Sequence, residues 1–143
     1  MPSSLGALGE SYAAAYLDQL GYRLVAANFT LPVGRNRRGA IINAEIDLIA
    51  YDGDTLCFIE VKTRSSDWFA PPQVNVDLRK RRKITRAARA YRQMLGIKNE
   101  PHRYDVVTVV LDNDSTPQME VLRNFWTDRS FSHKKHKEDH KRT

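Results

Sequence analysis

The chain has a single cysteine in 143 residues, Cys57. That excludes an internal disulfide and any multi-cysteine metal site. No apolar run approaches the ~18 residues that a membrane-spanning helix needs. The N-terminal Met1–Glu10 segment lacks a basic stretch leading into an apolar core, so no secretory signal and no membrane are expected, and a cytoplasmic protein is. Acidic residues are missing from one long stretch. Between Arg79 and Arg92 there are eight basic side chains and no acid.

Hydrophobic residues make up 41% of the chain, enough for a core at this length. With no internal repeat, residues 1–131 read as a single domain. Residues 132–143 read as a basic, disordered tail, in which His133, His136 and His140 are better explained by composition than as metal ligands. The formal charge of +6 favours an anionic partner, nucleic acid being the commonest.

Taken in order, Ser3 or Ser4 caps a helix to about Leu20, stopped by Gly21. Glu10 lies on a stripe with Gly6, Ala13, Ala14 and Leu17, either as a site residue or at the edge of an apolar face. Tyr22–Phe29 reads as a strand, followed by a loop over Thr30–Ala40 carrying Arg35, Arg37 and Arg38. Trp68 and Phe69 fall in a proline-containing loop, as a core plug before a base-stacking pair. Asp77 caps a second helix from Leu78 to about Leu95. Its cations in the first turn oppose the helix dipole and have no acids at i+4. Arg79, Arg82, Arg86 and Arg89 form an outward stripe suited to a phosphate backbone, the alternative being a plain solvated face; Lys80 lies on the inward edge. Arg103–Leu111 is a strand buried on both faces, Gln118–Leu122 an edge strand, and Arg123–Phe131 a closing segment in which Phe125 and Trp126 finish the core. The order predicts an α/β fold, a mixed central β-sheet flanked by helices, with the strands at Thr55–Lys62 and Arg103–Leu111 parallel.

The stretch Ala44–Thr63 carries the chemistry. Two strands meet at Asp52-Gly53-Asp54. A type I′ turn at Asp52-Gly53 sets Glu45 opposite Glu60; a type II′ turn at Gly53-Asp54 sets Asp47 opposite Glu60 and Glu45 opposite Lys62. Strict alternation gathers Glu45, Asp47, Glu60 and Lys62 on one side in both. Like charges directly opposite destabilise a sheet. Three carboxylates around one lysine therefore call for a compensating divalent cation, unless they form only a surface ion-pair cluster worth about 0–1 kcal/mol. The apolar Ile46, Leu48, Ala50, Ile59 and Val61 argue for a largely buried hairpin rather than a solvated one.

Asp47 followed by Glu60-Val61-Lys62 on the next strand resembles the Asp…(Asp/Glu)-x-Lys signature of the restriction-endonuclease-like nuclease superfamily. More specifically, the chain resembles the YraN-like family of small bacterial proteins. The likeness rests on Gly6, Gly9-Glu10, Leu20-Gly21-Tyr22, Asn28, Glu45-Ile46-Asp47-Leu48-Ile49, Phe58–Arg64, Val76 with Arg79-Lys80, and Arg103–Val107. Ala44 stands where that family usually has glycine, and Thr30 where arginine is common. The resemblance implies a restriction-endonuclease-like fold and a metal-dependent endonuclease acting on DNA before RNA, with room for a homodimer; the alternative is a non-catalytic nucleic-acid-binding protein of the same fold. It further implies that Asp47, Glu60 and the Val61 carbonyl hold Mg²⁺ or Mn²⁺, that Glu10 and Glu45 complete the metal shell, that Lys62 serves the attacking water, and that Arg79 and Lys80 bind phosphate.

Overall fold

The computed structural model describes residues 4–65, 74–112 and 116–128. Expectations for Trp68, Phe69 and the tail fall outside those residues. Helix α1 spans Leu5–Gln19, followed by strands β1 (Arg23–Arg35), β2 (Ile41–Asp52) and β3 (Thr55–Ser65), helix α2 (Leu78–Met94), and strands β4 (His102–Leu111) and β5 (Gln118–Trp126). The strands form one mixed five-stranded sheet in chain order. All pairings are antiparallel except β3–β4, where α2 supplies the crossover a parallel pair requires.

The two helices cover opposite faces. Ala13 and Leu17 of α1 pack with Leu48, Ala50, Cys57, Ile59, Val107 and Val109. Ile84, Ala87, Ala88 and Tyr91 of α2 pack with Ile49, Leu56, Phe58, Tyr104, Val106 and Trp126. β3, between the layers, is buried without a break from Leu56 to Glu60, the pattern of a strand covered on both sides. Both caps form: Ser4 Oγ accepts from Ala7 N (3.1 Å) and Asp77 Oδ1 from Lys80 N (2.8 Å).

Two elements differ from expectation. β1 continues through the predicted loop to Arg35, because it is an edge strand, where Pro32 is tolerated. The turn proper is Asn36–Ala40, held by Asn36 Oδ1, which accepts from Arg38 N (2.9 Å) and Ala40 N (3.0 Å). The final segment is one strand rather than two pieces, irregular between its Tyr104 and Val106 pairings, and Trp126 closes the core by stacking on Tyr104 at 5.0 Å.

Candidate functional site

The β2–β3 hairpin turns at Gly53-Asp54, with Asp52 paired to Thr55. Gly53 (φ 60°) is the turn's only positive-φ residue, which makes it type II′. This register sets Asp47 level with Glu60, but the ladder stops one pair short, at Leu48 and Ile59. Beyond that point β2 pairs only with β1, and β3 only with β4. The hairpin forks, and Asp47 sits in the fork. Val61 N–H donates to Asp47 Oδ2 at 2.8 Å, so a side chain takes the place of the missing ladder bond.

Strict alternation fails at this fork. Ala44, Ile46 and Ile49 belong to the α2-side core, whereas Leu48 and Ala50 belong to the α1-side core. β2 therefore changes parity at Asp47. β1 changes with it: Ala26 and Phe29, three residues apart, both pack on the α2 side, and between them Asn28 has φ 53°. Consequently Glu45 is not grouped with Lys62 as the pattern predicted. Its carboxylate instead meets those of Glu10 and Asp47, with one oxygen of each within 4.8 Å of the others.

Glu60 lies on the α2 side and is 1% exposed. Lys80 reaches in from α2 to ion-pair with its Oε2, and Lys62 Nζ is 3.9 Å from the same oxygen. Among the described residues, none donates a well-aligned hydrogen bond to either Glu60 oxygen. Burial, then the neighbouring Asp47, pushes the Glu60 carboxyl up to about 7. Burial also raises Asp47 and Glu10 above ordinary carboxylate values, Glu10 further through Glu45 and Glu60. For Lys80, burial works against the charge, but Glu60 and Asp47 outweigh it and raise its pKa. The site thus holds more carboxylate than its two lysines satisfy. An all-oxygen donor set with an undersatisfied buried carboxylate fits a hard divalent cation.

A groove of about 530 Å³ opens beside the fork, with Glu45 and Asp47 on one wall and Arg79, Lys80 and Lys83 on the other. Arg79, Arg82 and Arg89 are exposed on α2. Arg86 is exposed too, but its Nη2 donates to the Val33 carbonyl, tying α2 to β1. Lys83 belonged to the visible basic run but not to the predicted phosphate stripe. Gly9 also matters: a Cβ there would collide with Thr63 Oγ1. Its absence lets α1 close on β3 and bring Glu10 to the acids. Arg103 and Asp105, by contrast, serve the scaffold. Asp105 is fully buried, bonded to Arg103 Nε at 2.8 Å, Tyr22 Oη at 3.3 Å and Asn124 N at 2.9 Å.

An α/β protein with a forked hairpin, a carboxylate cluster and a basic helix is the class these features define. The family model described as "Uncharacterised protein family UPF0102" matches residues 9–109, a span that takes in the acids, both lysines and α2. The chain belongs to that family, the one its motifs resemble. A UPF0102 protein of Chlorobium limicola is 43% identical over 116 residues, covering 79% of this chain and 82% of its own. One of Geobacter sulfurreducens is 38% identical over 120 residues, 84% and 86% of the two chains. One of Moorella thermoacetica is 42% identical over 119 residues, 82% and 91%.

Proposed function

We propose that this protein is a metal-dependent endonuclease hydrolysing DNA phosphodiesters at the β2–β3 fork, on a restriction-endonuclease-like fold. The observation that carries the proposal is Glu60: a buried carboxylate beside Asp47, with no aligned hydrogen-bond donor among the described residues and with Lys80 and Lys62 both at its Oε2. Asp47, Glu60 and the Val61 carbonyl would hold Mg²⁺ or Mn²⁺, with Glu10 and Glu45 completing the shell. When bound, the ion supplies Lewis-acid polarisation of the phosphate and a more acidic water. Lys62, 38% exposed and close to Glu60, orients the attacking water and offsets charge on the pentacoordinate phosphate. Arg79, Lys80 and Lys83 hold the phosphate along the groove, and Arg82 and Arg89 extend the contact along α2.

One observation favours a second reading, a binding module without chemistry. The Lys80 ammonium already supplies Glu60 with a cation, as a protein that needs no metal would arrange. Incubation with linear, nicked, single-stranded and four-way DNA in Mg²⁺ or Mn²⁺ separates the two. The nuclease reading expects metal-dependent products that disappear in Asp47→Asn and Lys62→Ala. Salt-sensitive binding without products supports the binding module. Cleavage that persists unchanged in both variants places the chemistry elsewhere.

A further inference from the structure

We infer that Asn28 is a positioning residue that clamps Glu10 of α1 to Glu45 of β2 and so assembles the carboxylate cluster. The inference rests on the metal-site reading above for the cluster's purpose, but the clamp itself stands on separate geometry. With its amide nitrogen turned inward, Asn28 donates to Glu10 Oε1 at 2.9 Å, Glu10 Oε2 at 3.3 Å and Glu45 Oε1 at 3.1 Å. The opposite orientation sets a carbonyl oxygen against three carboxylate oxygens, which repel it. One neutral amide therefore bridges two like-charged groups from different elements.

The backbone argues in the same direction. A non-glycine residue at φ 53° inside an antiparallel ladder is strained, and such strain persists only where the surroundings enforce it. Asn28 lies level with Asp47, between the Ala27–Leu48 and Phe29–Ile46 pairs. That is where both strands change parity. Its left-handed turn brings Glu45 round toward α1, and its amide then holds it there. Asparagine suits both tasks, because it tolerates the left-handed region better than other side chains and carries two donors. Beyond the amide, Ala7, Glu10, Ser11 and Ala14 of α1 form a cleft with Asn28, so the clamp lies at the solvent-facing edge of the cluster.

Glycine at this position keeps the backbone conformation and removes the amide; alanine loses both. The first measurement is the ¹⁵N–¹H spectrum of the metal-free full chain, with the Asn28 amide pair assigned by its loss in Asn28→Gly. The clamp requires those resonances to shift in both Glu10→Gln and Glu45→Gln, more than any other asparagine side chain does. No shift in either variant overturns it. The second is Mn²⁺ titration by calorimetry. Supporting partners of metal ligands typically contribute 10–100-fold in affinity. Asn28→Gly should therefore weaken Mn²⁺ binding about tenfold while its melting temperature in EDTA stays at or above wild type, and Asn28→Ala should lower both. Undiminished Mn²⁺ affinity in a folded Asn28→Gly protein overturns the positioning role. Wild-type protein that binds no Mn²⁺, yet shows the coupled amide shifts, removes the metal-site reading and leaves the clamp standing.

Discussion

At the residue scale, the carboxyl of Glu60 carries the most informative signal. Held near pH 7 against an ordinary 4.5, it favours the protonated form in the folded state. As pH rises from 4.5 to 7 the unfolded chain ionises this group while the folded one resists, so stability falls across that window. At 1.36 kcal/mol per pH unit, the loss is on the order of 3 kcal/mol. Burial pushes the Asp47 and Glu10 carboxyls in the same direction. Urea unfolding in EDTA should show wild type losing stability between pH 5 and pH 8, with a flatter profile for Glu60→Gln. An unchanged profile would mean that Glu60 ionises freely. A second expectation concerns Asp105, whose buried pairing with Arg103 is weakened by Asp105→Asn, leaving the guanidinium with Asp52 at 2.8 Å as its remaining carboxylate partner. The loss should be about 1–3 kcal/mol in denaturant melts, with nucleic-acid binding per folded molecule unaltered.

At the scale of elements, α1 and α2 have different tasks. Gly9 lets α1 approach β3, since a Cβ would lie 2.7 Å from Thr63 Cβ and closer still to its Oγ1. Gly9→Ala must push the helix off the sheet, at about 1–3 kcal/mol, and Thr63→Ala should recover part of it in the double variant. Full stability in Gly9→Ala alone would contradict this packing. α2 presents Arg79, Arg82 and Arg89 to solvent. Replacing all three by Gln should weaken duplex binding and flatten the slope of log K against log salt by up to ~2.7. An unaltered slope would remove the stripe from the interface. Arg86 is best left out, because its bond to the Val33 carbonyl makes it part of the β1–α2 contact.

The elements also show what a sequence can reveal. Both helices, the cap at Asp77, a first cap narrowed to Ser3 or Ser4, and the parallel β3–β4 pair follow from periodicity and chain order. The hairpin register could be narrowed to two choices, and the positive φ at Gly53 alone selects type II′. The face of Glu45 was not legible. Alternation assumes a regular strand, and β2 changes parity at Asp47, level with the left-handed Asn28 of the neighbouring strand. Nor did the loop expected from Pro32, Gly34 and three arginines form before Arg35, because local composition does not reveal that β1 lies at an edge. Lys80 could be placed on the inward side of its helix, but its partner Glu60 is twenty residues earlier in the chain and only the folded crossover brings them together.

At the scale of the whole molecule, the candidate site draws on both layers. α1 supplies Glu10 from one face of the sheet, α2 supplies Lys80 from the other, and the fork between β2 and β3 holds Asp47 and Glu60 between them. No single element supplies the cluster, so any test of the site also reads the integrity of the fold. A metal that binds only the folded protein stabilises it by mass action. Mn²⁺ should therefore raise the melting temperature more at pH 8 than at pH 5, where protons compete for the same oxygens, and should do so little in Glu60→Gln. The most direct measurement is anomalous diffraction from a crystal soaked in Mn²⁺ near pH 8. A peak is expected between Asp47 and Glu60, with Lys80 withdrawn from Glu60 toward the groove. A fully soaked crystal with no peak there, and Lys80 still paired to Glu60, would contradict a metal site at the fork.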